Sequence, residues 1–414
     1  MKSVGIEAMN AFCGTAYVNV NELAKYRKLD MARFDNLLMN EKSVALPYED
    51  PVSLAVNAAK PIIDALSNDE KNRIEMVITC TESSFDFGKS MSTYVHHLLG
   101  LNRNCRLFEL KSACHSGVTG LQMAINFILS GVSPGAKVLV LATDISRFMA
   151  VEGGDALSED WSFSEPSSGA GATAVLVSEN PDIFKIDVGA NGYYSYEVMD
   201  TCRPIPDSEA GNSDLSLMSY LDCYEKAFEE YKKRVSTADY KDSFSYLIFH
   251  TPFGGMVKGA HRKAMRKFYQ AKADEIEEDF NVRVMPGLKY CQRVGNIMGA
   301  TTMLSLISTI ENGVFNTPRR IGCFSYGSGC SSEFFSGIVT NQAQKKLREL
   351  SVVNNLDQRR KLSMDEYQSI IDSSGLVKFG TRNVKLDMSQ IKKVQNSRLY
   401  LREINEYHRK YEWL

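Results

Sequence analysis

Short apolar runs that end in polar residues alternate along this chain with longer apolar stretches of helical length. Glu75–Ser83 (EMVITCTES) is rich in β-branched residues and closes on Cys-Thr-Glu-Ser, the pattern of a buried strand with a polar end. Arg106–Leu110 reads as a shorter strand. From Ser116 the residues stay apolar or small, with no charge until Lys137, which predicts a buried helix closed by the Ser133-Pro134-Gly135 turn. Strands follow at Lys137–Ser146 (KVLVLATDIS) and Gly171–Asn180 (GATAVLVSEN). The polar, glycine-bearing stretch from Asp182 to Asp214 predicts loops over a cleft. After it, Leu217, Tyr220, Leu221, Tyr224, Phe228 and Tyr231 recur at helical spacing.

The order then repeats. Ser245–Gly255 (SYLIFHTPFGG) is a strand ending in His-Thr, and Arg293–Gly313 (RVGNIMGATTMLSLISTIENG) is a second helix, uncharged between Arg293 and Glu311, with Asn296 in the place of Cys114. Gly322–Val339 (GCFSYGSGCSSEFFSGIV) is a strand, a Gly327-Ser328-Gly329 turn and a strand, and the turn echoes Gly169-Ala170-Gly171. The pattern predicts an α/β protein of two similar halves, residues 1–180 and 181–414. The second half carries the cleft-bordering loops and a charged, helical tail from Gln342, whose YLREINEYHRKYEWL end packs on the body.

Composition narrows the function without naming it. A 44% hydrophobic fraction with 24% charged residues is ordinary for a soluble globular protein. Lys+Arg 48 against Asp+Glu 50 leaves a net charge of -2, so no global field draws nucleic acid or an anionic membrane. No run of apolar residues is long enough to span a membrane or serve as a leader, and a cytoplasmic protein is expected. Nine irregularly spaced cysteines without a CxxC are expected to be reduced thiols, with no metal site. Phe87–Ser90 (FGKS) has the ending of a P-loop, but Ser83 stands where its first glycine is needed. GxGxxG does not occur, and the GxSxG match at 131–135 (GVSPG) falls in the turn that closes the uncharged helix.

Cys114 therefore becomes the central question. It is either a small core residue or a nucleophile at a helix N-terminus, where about half a positive charge and free amides favour a thiolate. Glu82 and His250 sit at polar strand ends, and Asn296 at a helix start; singly they are a cap, a core histidine and an N-cap. A duplicated fold would bring all four into one cleft.

Thr81–Ser83 (TES), SACHSG around Cys114, FHTPF around His250, Gly295-Asn296 and Ser325–Gly329 (SYGSG) resemble, in order, the 3-hydroxy-3-methylglutaryl-CoA synthase family. The resemblance covers nearly the whole chain. It implies a thiolase-like fold, with duplicated βαβαβ halves in a five-layered αβαβα arrangement. ALPYEDPV (45–52), GGDALSEDW (153–161) and HTPFGGMVKGAHR (250–262) look like the homologues of polyketide gene clusters, which make β-branches on carrier-protein-bound chains. Two positions depart from the CoA-using enzymes. His115 replaces the Tyr or Phe after the nucleophile, and Gly255 stands where those enzymes carry a lysine associated with CoA.

The resemblance implies Cys114 as acyl acceptor, Glu82 as the base that takes a methyl proton, and His250 with Asn296 holding the acceptor carbonyl. The amides of Cys114 and Ser328 would form the oxyanion hole. Asp214, Ser216, Asp222 and Lys258 are weaker substrate-binding candidates. The basic run Lys258, Arg262, Lys263, Arg266 and Lys267 suits docking of an acidic carrier protein, or is a solvated helix face. No metal, nucleotide or flavin cofactor is implied, since phosphopantetheine of a carrier protein or CoA carries both substrates. Donor and acceptor acyl carrier proteins and a second copy of the chain are the implied partners. Three alternatives stay open: a free-CoA synthase acting on acetoacetyl-CoA, a catalytically silent carrier-protein docking module, and a ketoacyl synthase, against which Glu82 argues.

Overall fold

A computed structural model describes residues 3–146, 164–203, 209–350, 352–389, 391 and 397–414. Nine strands share one sheet: β1 (Gly5–Phe12), β2 (Ile74–Cys80), β3 (Arg106–Leu110), β4 (Lys137–Ile145), β5 (Ala170–Ser178), β6 (Phe184–Ser195), β7 (Tyr246–Phe249), β8 (Arg319–Gly327) and β9 (Ser331–Val339). Their order is β7-β8-β9-β6-β1-β5-β4-β2-β3. In the first half β4 runs parallel to β2 and antiparallel to β5, which is antiparallel to β1. The second half repeats this, with β8 parallel to β7 and antiparallel to β9, and β9 antiparallel to β6. The halves join through a short antiparallel contact, Gly5 opposite Lys185 and Ile6 opposite Phe184.

Strand alternation divides the core into layers. On β4, Val138, Val140 and Ala142 face the central helices α2 (Ser116–Ser130) and α5 (Thr301–Asn312), while Leu139 and Leu141 face α1 (Pro51–Ala65). In the second half Cys323 and Phe335 point to the same central layer. Phe324 and Phe334 point outward to Tyr220, Tyr224 and Phe228 of α3 (Ser213–Arg234) and to Val257 of α4 (Gly254–Tyr269). The result is helix, half-sheet, helix pair, half-sheet, helix: the five-layered thiolase-like arrangement. Sheets covered on both faces read as continuous apolar runs, and β4 and β5 are buried at every position.

The central helices begin in contact. A Cβ on Gly117 would lie 2.1 Å from the Gly299 carbonyl oxygen, so only glycine permits this approach.

Two stretches differ from the sequence expectation. Part of the supposed loop region after Asp182 is the twelve-residue strand β6. Its glycines suggest a loop, yet Gly192 is there for close packing: a Cβ on it would sit 2.2 Å from the Tyr231 amide nitrogen of α3. The end of the tail is a β-hairpin, Leu399–Asn405 with His408–Trp413, and so the tail is not wholly helical. Its two-residue turn uses Glu406 and Tyr407 at φ 48° and 64°, the primed-turn geometry usually signalled by glycine or asparagine. The GGDALSEDW stretch lies outside the described residues. No helix among the described residues is long and apolar enough to cross a membrane, and the nine cysteines are all free.

The hairpin is tied to the body by a buried charge. Asp50 caps α1 through the Ser53 amide at 2.9 Å, and its Oδ2 accepts from Arg409 Nη1 at 2.9 Å and the Tyr411 hydroxyl at 2.8 Å. Asp50→Ala strands the buried Arg409 guanidinium and is expected to cost about 3–5 kcal/mol. It should lower the midpoint of chemical unfolding, whereas Glu406→Gln, which opens only the exposed pair with Arg382, should leave the midpoint nearly unchanged.

Candidate active site

The site is assembled where strands end and the central helices begin. After β2 the chain turns through Thr81, Glu82 and Ser83, and Asp144 near the end of β4 holds this turn. Its Oδ1 accepts from Thr81 Oγ1 at 3.0 Å, the Glu82 amide at 2.8 Å and Ser83 Oγ at 2.9 Å. After β3, Ala113 adopts a left-handed φ of 44° in the short turn Ala113–His115 that delivers Cys114 to the start of α2. A non-glycine residue in that region stores about 1–3 kcal/mol, and such strain collects at functional sites.

The second half repeats this turn at Met298–Ala300, with Met298 at φ 48° before α5. By that correspondence the partner of Cys114 is Gly299, so the sequence pairing of Asn296 with Cys114 is three residues out of register. Asn296 instead reaches the site from a bridge with Ser168, its amide donating to the Ser167 carbonyl at 2.7 Å. Its Oδ1 accepts from the Met298 amide and Thr301 Oγ1, both at 3.0 Å, which leaves the side-chain NH2 for the cavity.

His250 follows β7 directly. Its backbone is held on both sides: its amide donates to the Phe324 carbonyl and its carbonyl accepts from the Tyr220 hydroxyl, each at 2.7 Å. The ring Nδ1 is buried without a hydrogen-bond partner among the described residues. Burial, with His115 nearby, pushes the His250 imidazole down to about 3. Burial pushes His115, which meets Ser325 Oγ at 2.9 Å, down to about 4. Both rings are neutral at physiological pH. Ser328 lies on the β8–β9 turn, which Asp200 fixes by accepting from the Gly329 amide at 2.8 Å and the Tyr326 hydroxyl at 2.5 Å.

Glu82, Cys114, His250, Asn296 and Ser328 all line one cavity of about 1080 Å³, with Asp214 and Ser216 from the first turn of α3. Asp222, two turns along α3, does not line it and acts instead on Tyr194 and Tyr196. The basic run of α4 lies outside the cavity as well, and much of its charge is compensated. Lys258 pairs with Glu277 at 2.8 Å, Lys263 with Glu225 at 3.0 Å, and Lys267 with Glu225 and Glu229. Only Arg262 and Arg266 of the five lack an acidic partner among the described residues.

The electrostatics reverse one sequence expectation. The Cys114 thiol is pushed well above its ordinary value, first by burial and then by the Glu82, Asp144 and Glu209 carboxylates. A helix N-terminus contributes about 0.3–1 kcal/mol, too little to offset desolvation and three acids. The resting sulfur therefore keeps its proton. Burial also raises Asp144 and Glu209, each to about 7.

Arg203 threads between these acids. Its Nη1 donates to the Glu82 carbonyl at 2.7 Å, and its Nη2 lies 3.7 Å from the carboxylates of both Glu82 and Glu209. Sequence reasoning missed Asp144, Arg203, Glu209, Asp200 and Tyr326. Asp144 alone carried a signal, as an acid near the end of an otherwise apolar strand. Among the described residues no group of three or more His, Cys, Asp or Glu is placed to hold a metal ion.

Residues 1–182 match the hydroxymethylglutaryl-coenzyme A synthase N-terminal family, and residues 261–413 the C-terminal family. The polyketide biosynthesis 3-hydroxy-3-methylglutaryl-ACP synthase PksG of Bacillus subtilis is 68% identical over 100% of both chains. The hydroxymethylglutaryl-CoA synthase of Enterococcus faecalis is 32% identical over 89% of this chain and 91% of that one. The solved curacin biosynthetic pathway HMG synthase, in complex with acetyl donor-ACP, superimposes with a TM-score of 0.95 at 62% identity over 100% of both chains. On motifs, fold and likeness together, this chain belongs to the hydroxymethylglutaryl-CoA synthase family of acyltransferases.

Proposed function

We propose that the enzyme adds an acetyl group, carried on Cys114, to the β-ketone of a carrier-protein-bound polyketide chain. The observation that carries the reading is one cavity lined by a thiol, a carboxylate, a neutral imidazole and an amide from separate elements of both halves.

Cys114 loses its proton as its sulfur bonds to the acetyl carbonyl carbon, and the carrier thiol leaves. The amides of Cys114 and Ser328 receive the oxyanion, and no described residue engages either amide. Glu82 then takes a methyl proton, and the resulting carbanion bonds to the β-carbon of the acceptor. His250 and the NH2 of Asn296 hold the acceptor carbonyl, and as its oxygen becomes a hydroxyl it takes the proton that Glu82 removed, which returns Glu82 to the carboxylate. Water finally cleaves the Cys114 thioester, which leaves a carboxylic acid and the free thiol. A neutral His250 suits the carbonyl-holding role, because an imidazolium in that pocket would be strongly disfavoured. These side chains suffice for every step, and no cofactor is invoked.

Gly255 supports carrier proteins over CoA as the substrate handle. A Cβ on it would lie 1.9 Å from the Asn36 carbonyl oxygen, so a lysine in this position collides with backbone. The likeness to an ACP synthase and to a synthase solved with its donor ACP supports the same choice. The proposal includes a homodimeric, cytoplasmic enzyme.

Cys114→Ser should stay folded yet acquire no stable acetyl group, read by intact mass and peptide mapping after incubation with acetyl-carrier protein. An acetyl mapped to Cys80, Cys323 or Cys330 would overturn the assignment. Glu82→Gln should still become acetylated, since removing the carboxylate eases ionisation of the thiol, while condensation drops by roughly 10²–10⁴-fold. His250→Ala should mainly weaken use of the acceptor and leave acetylation intact.

Wild-type enzyme should take acetyl from acetyl-carrier protein faster than from acetyl-CoA, measured as initial rates of acetyl-Cys114 formation. Equal or faster use of acetyl-CoA would refute carrier-protein specificity. Reversing the two uncompensated charges, Arg262→Glu with Arg266→Glu, should slow transfer from the carrier protein alone and reduce its salt dependence.

A further inference from the structure

The segment that carries Arg203 is built as a small antiparallel ladder, with Thr201 opposite Gly211 and Cys202 opposite Ala210. The next opposed positions are Arg203 and Glu209, whose charged groups meet at 3.7 Å with their side chains largely withdrawn from water. This ladder is separate from the main sheet and contributes Thr201, Cys202, Arg203 and Glu209 to the cavity lining. Arg203 spends its guanidinium on the Glu82 backbone and on two carboxylates, while Asp144 fastens the same Glu82 turn from the opposite side.

We propose that Arg203, tethered by Glu209, is a positioning residue of the condensation: it pins the Glu82 turn and balances the three carboxylates that face Cys114. The inference rests on the roles given above to Glu82 and Cys114. Its physical basis is that three acids cannot all carry charge in a desolvated site without a nearby cation. The guanidinium lowers both Asp144 and Glu209 against the upward push of burial. The bond to the Glu82 carbonyl adds a geometric constraint that a diffuse positive charge would lack.

The groups that face the thiol set the sign of the effect. Glu82 comes from the turn after β2, Asp144 from β4, and Arg203 with Glu209 from the ladder. His250 and His115 are neutral neighbours. Removing Arg203 takes away the cation and makes thiol ionisation harder; removing the Glu209 charge makes it easier.

The test follows alkylation of Cys114 by iodoacetamide in the full-length enzyme, by peptide mass spectrometry between pH 6 and 10. At a fixed pH near 8, Arg203→Met should lower the rate about tenfold and Glu209→Gln should raise it about tenfold, each a shift of roughly one pH unit. Arg203→Lys should restore most of the alkylation rate but not condensation, since it returns the charge without the fork that holds the Glu82 carbonyl. Condensation is read separately, in single turnovers of pre-acetylated enzyme. Shifts in the same direction for both charge-removing variants, or no shift in either, would overturn the proposal by indicating a packing role. Glu82→Gln controls for the underlying mechanism. If it condenses at the wild-type rate, the role of Glu82 fails, while the opposed alkylation shifts still report on Arg203.

Discussion

Two buried helices meet at their first turns, with Gly117 of one against the Gly299 carbonyl next to the other, and the rest of the molecule is arranged around that contact. The helices are buried by a half-sheet on each side, and along both the only charge is Glu311, near the end of the second. Their N-termini are the parts that reach the cavity, and each enters through a turn with a left-handed non-glycine residue. That approach sets Cys114 and Asn296 close to the pseudo-symmetry axis. The polar ends of β2 and β7, with Glu82 and His250, are then carried to the same place by the sheet. A side chain at Gly117 would separate the helices and move every element of the site at once.

The symmetry is architectural and the chemistry is not. The equivalent of Cys114 is Gly299, and the long connection from β4 to β5 has as its counterpart the tight turn from β8 to β9 that bears Ser328. One half supplies the thiol and the acid, the other the imidazole and the amide. Duplication thus builds a scaffold whose two matching mouths have diverged into complementary parts. The charges follow the same division. Acids crowd around the sulfur and keep its proton in place, while both buried histidines stay neutral and suit hydrogen bonding to a carbonyl.

The setting of Gly255 links the fold to the choice of substrate handle. The Asn36–Leu38 segment fills the space that a lysine side chain would need at the start of α4, and Gly254 packs on the same segment. One local backbone contact therefore excludes a lysine from this position. The other basic residues of α4 are largely spent on acids of neighbouring helices.

Much of the architecture was legible in the sequence, because strands buried on both faces and helices buried all round leave long apolar runs with polar ends. Cys114, Glu82, His250 and Asn296 stood out for that reason, as polar groups where such runs stop, whereas Ser328 entered only through the family resemblance of its turn. The strand β6 and the final hairpin were not legible. One hides glycines used for close packing, and the other turns on Glu406-Tyr407 without a turn residue. The exact register between halves, the compensation of the α4 charges and the elevated Cys114 thiol were decided by tertiary structure alone. So was the convergence of Asp144, Arg203 and Glu209 on Glu82, residues spread from the first half to the loop before α3. Hydrophobic pattern is a local property and is written along the chain. The state of an ionisable group depends on which charges and how much water surround it in space, and only the folded chain determines that.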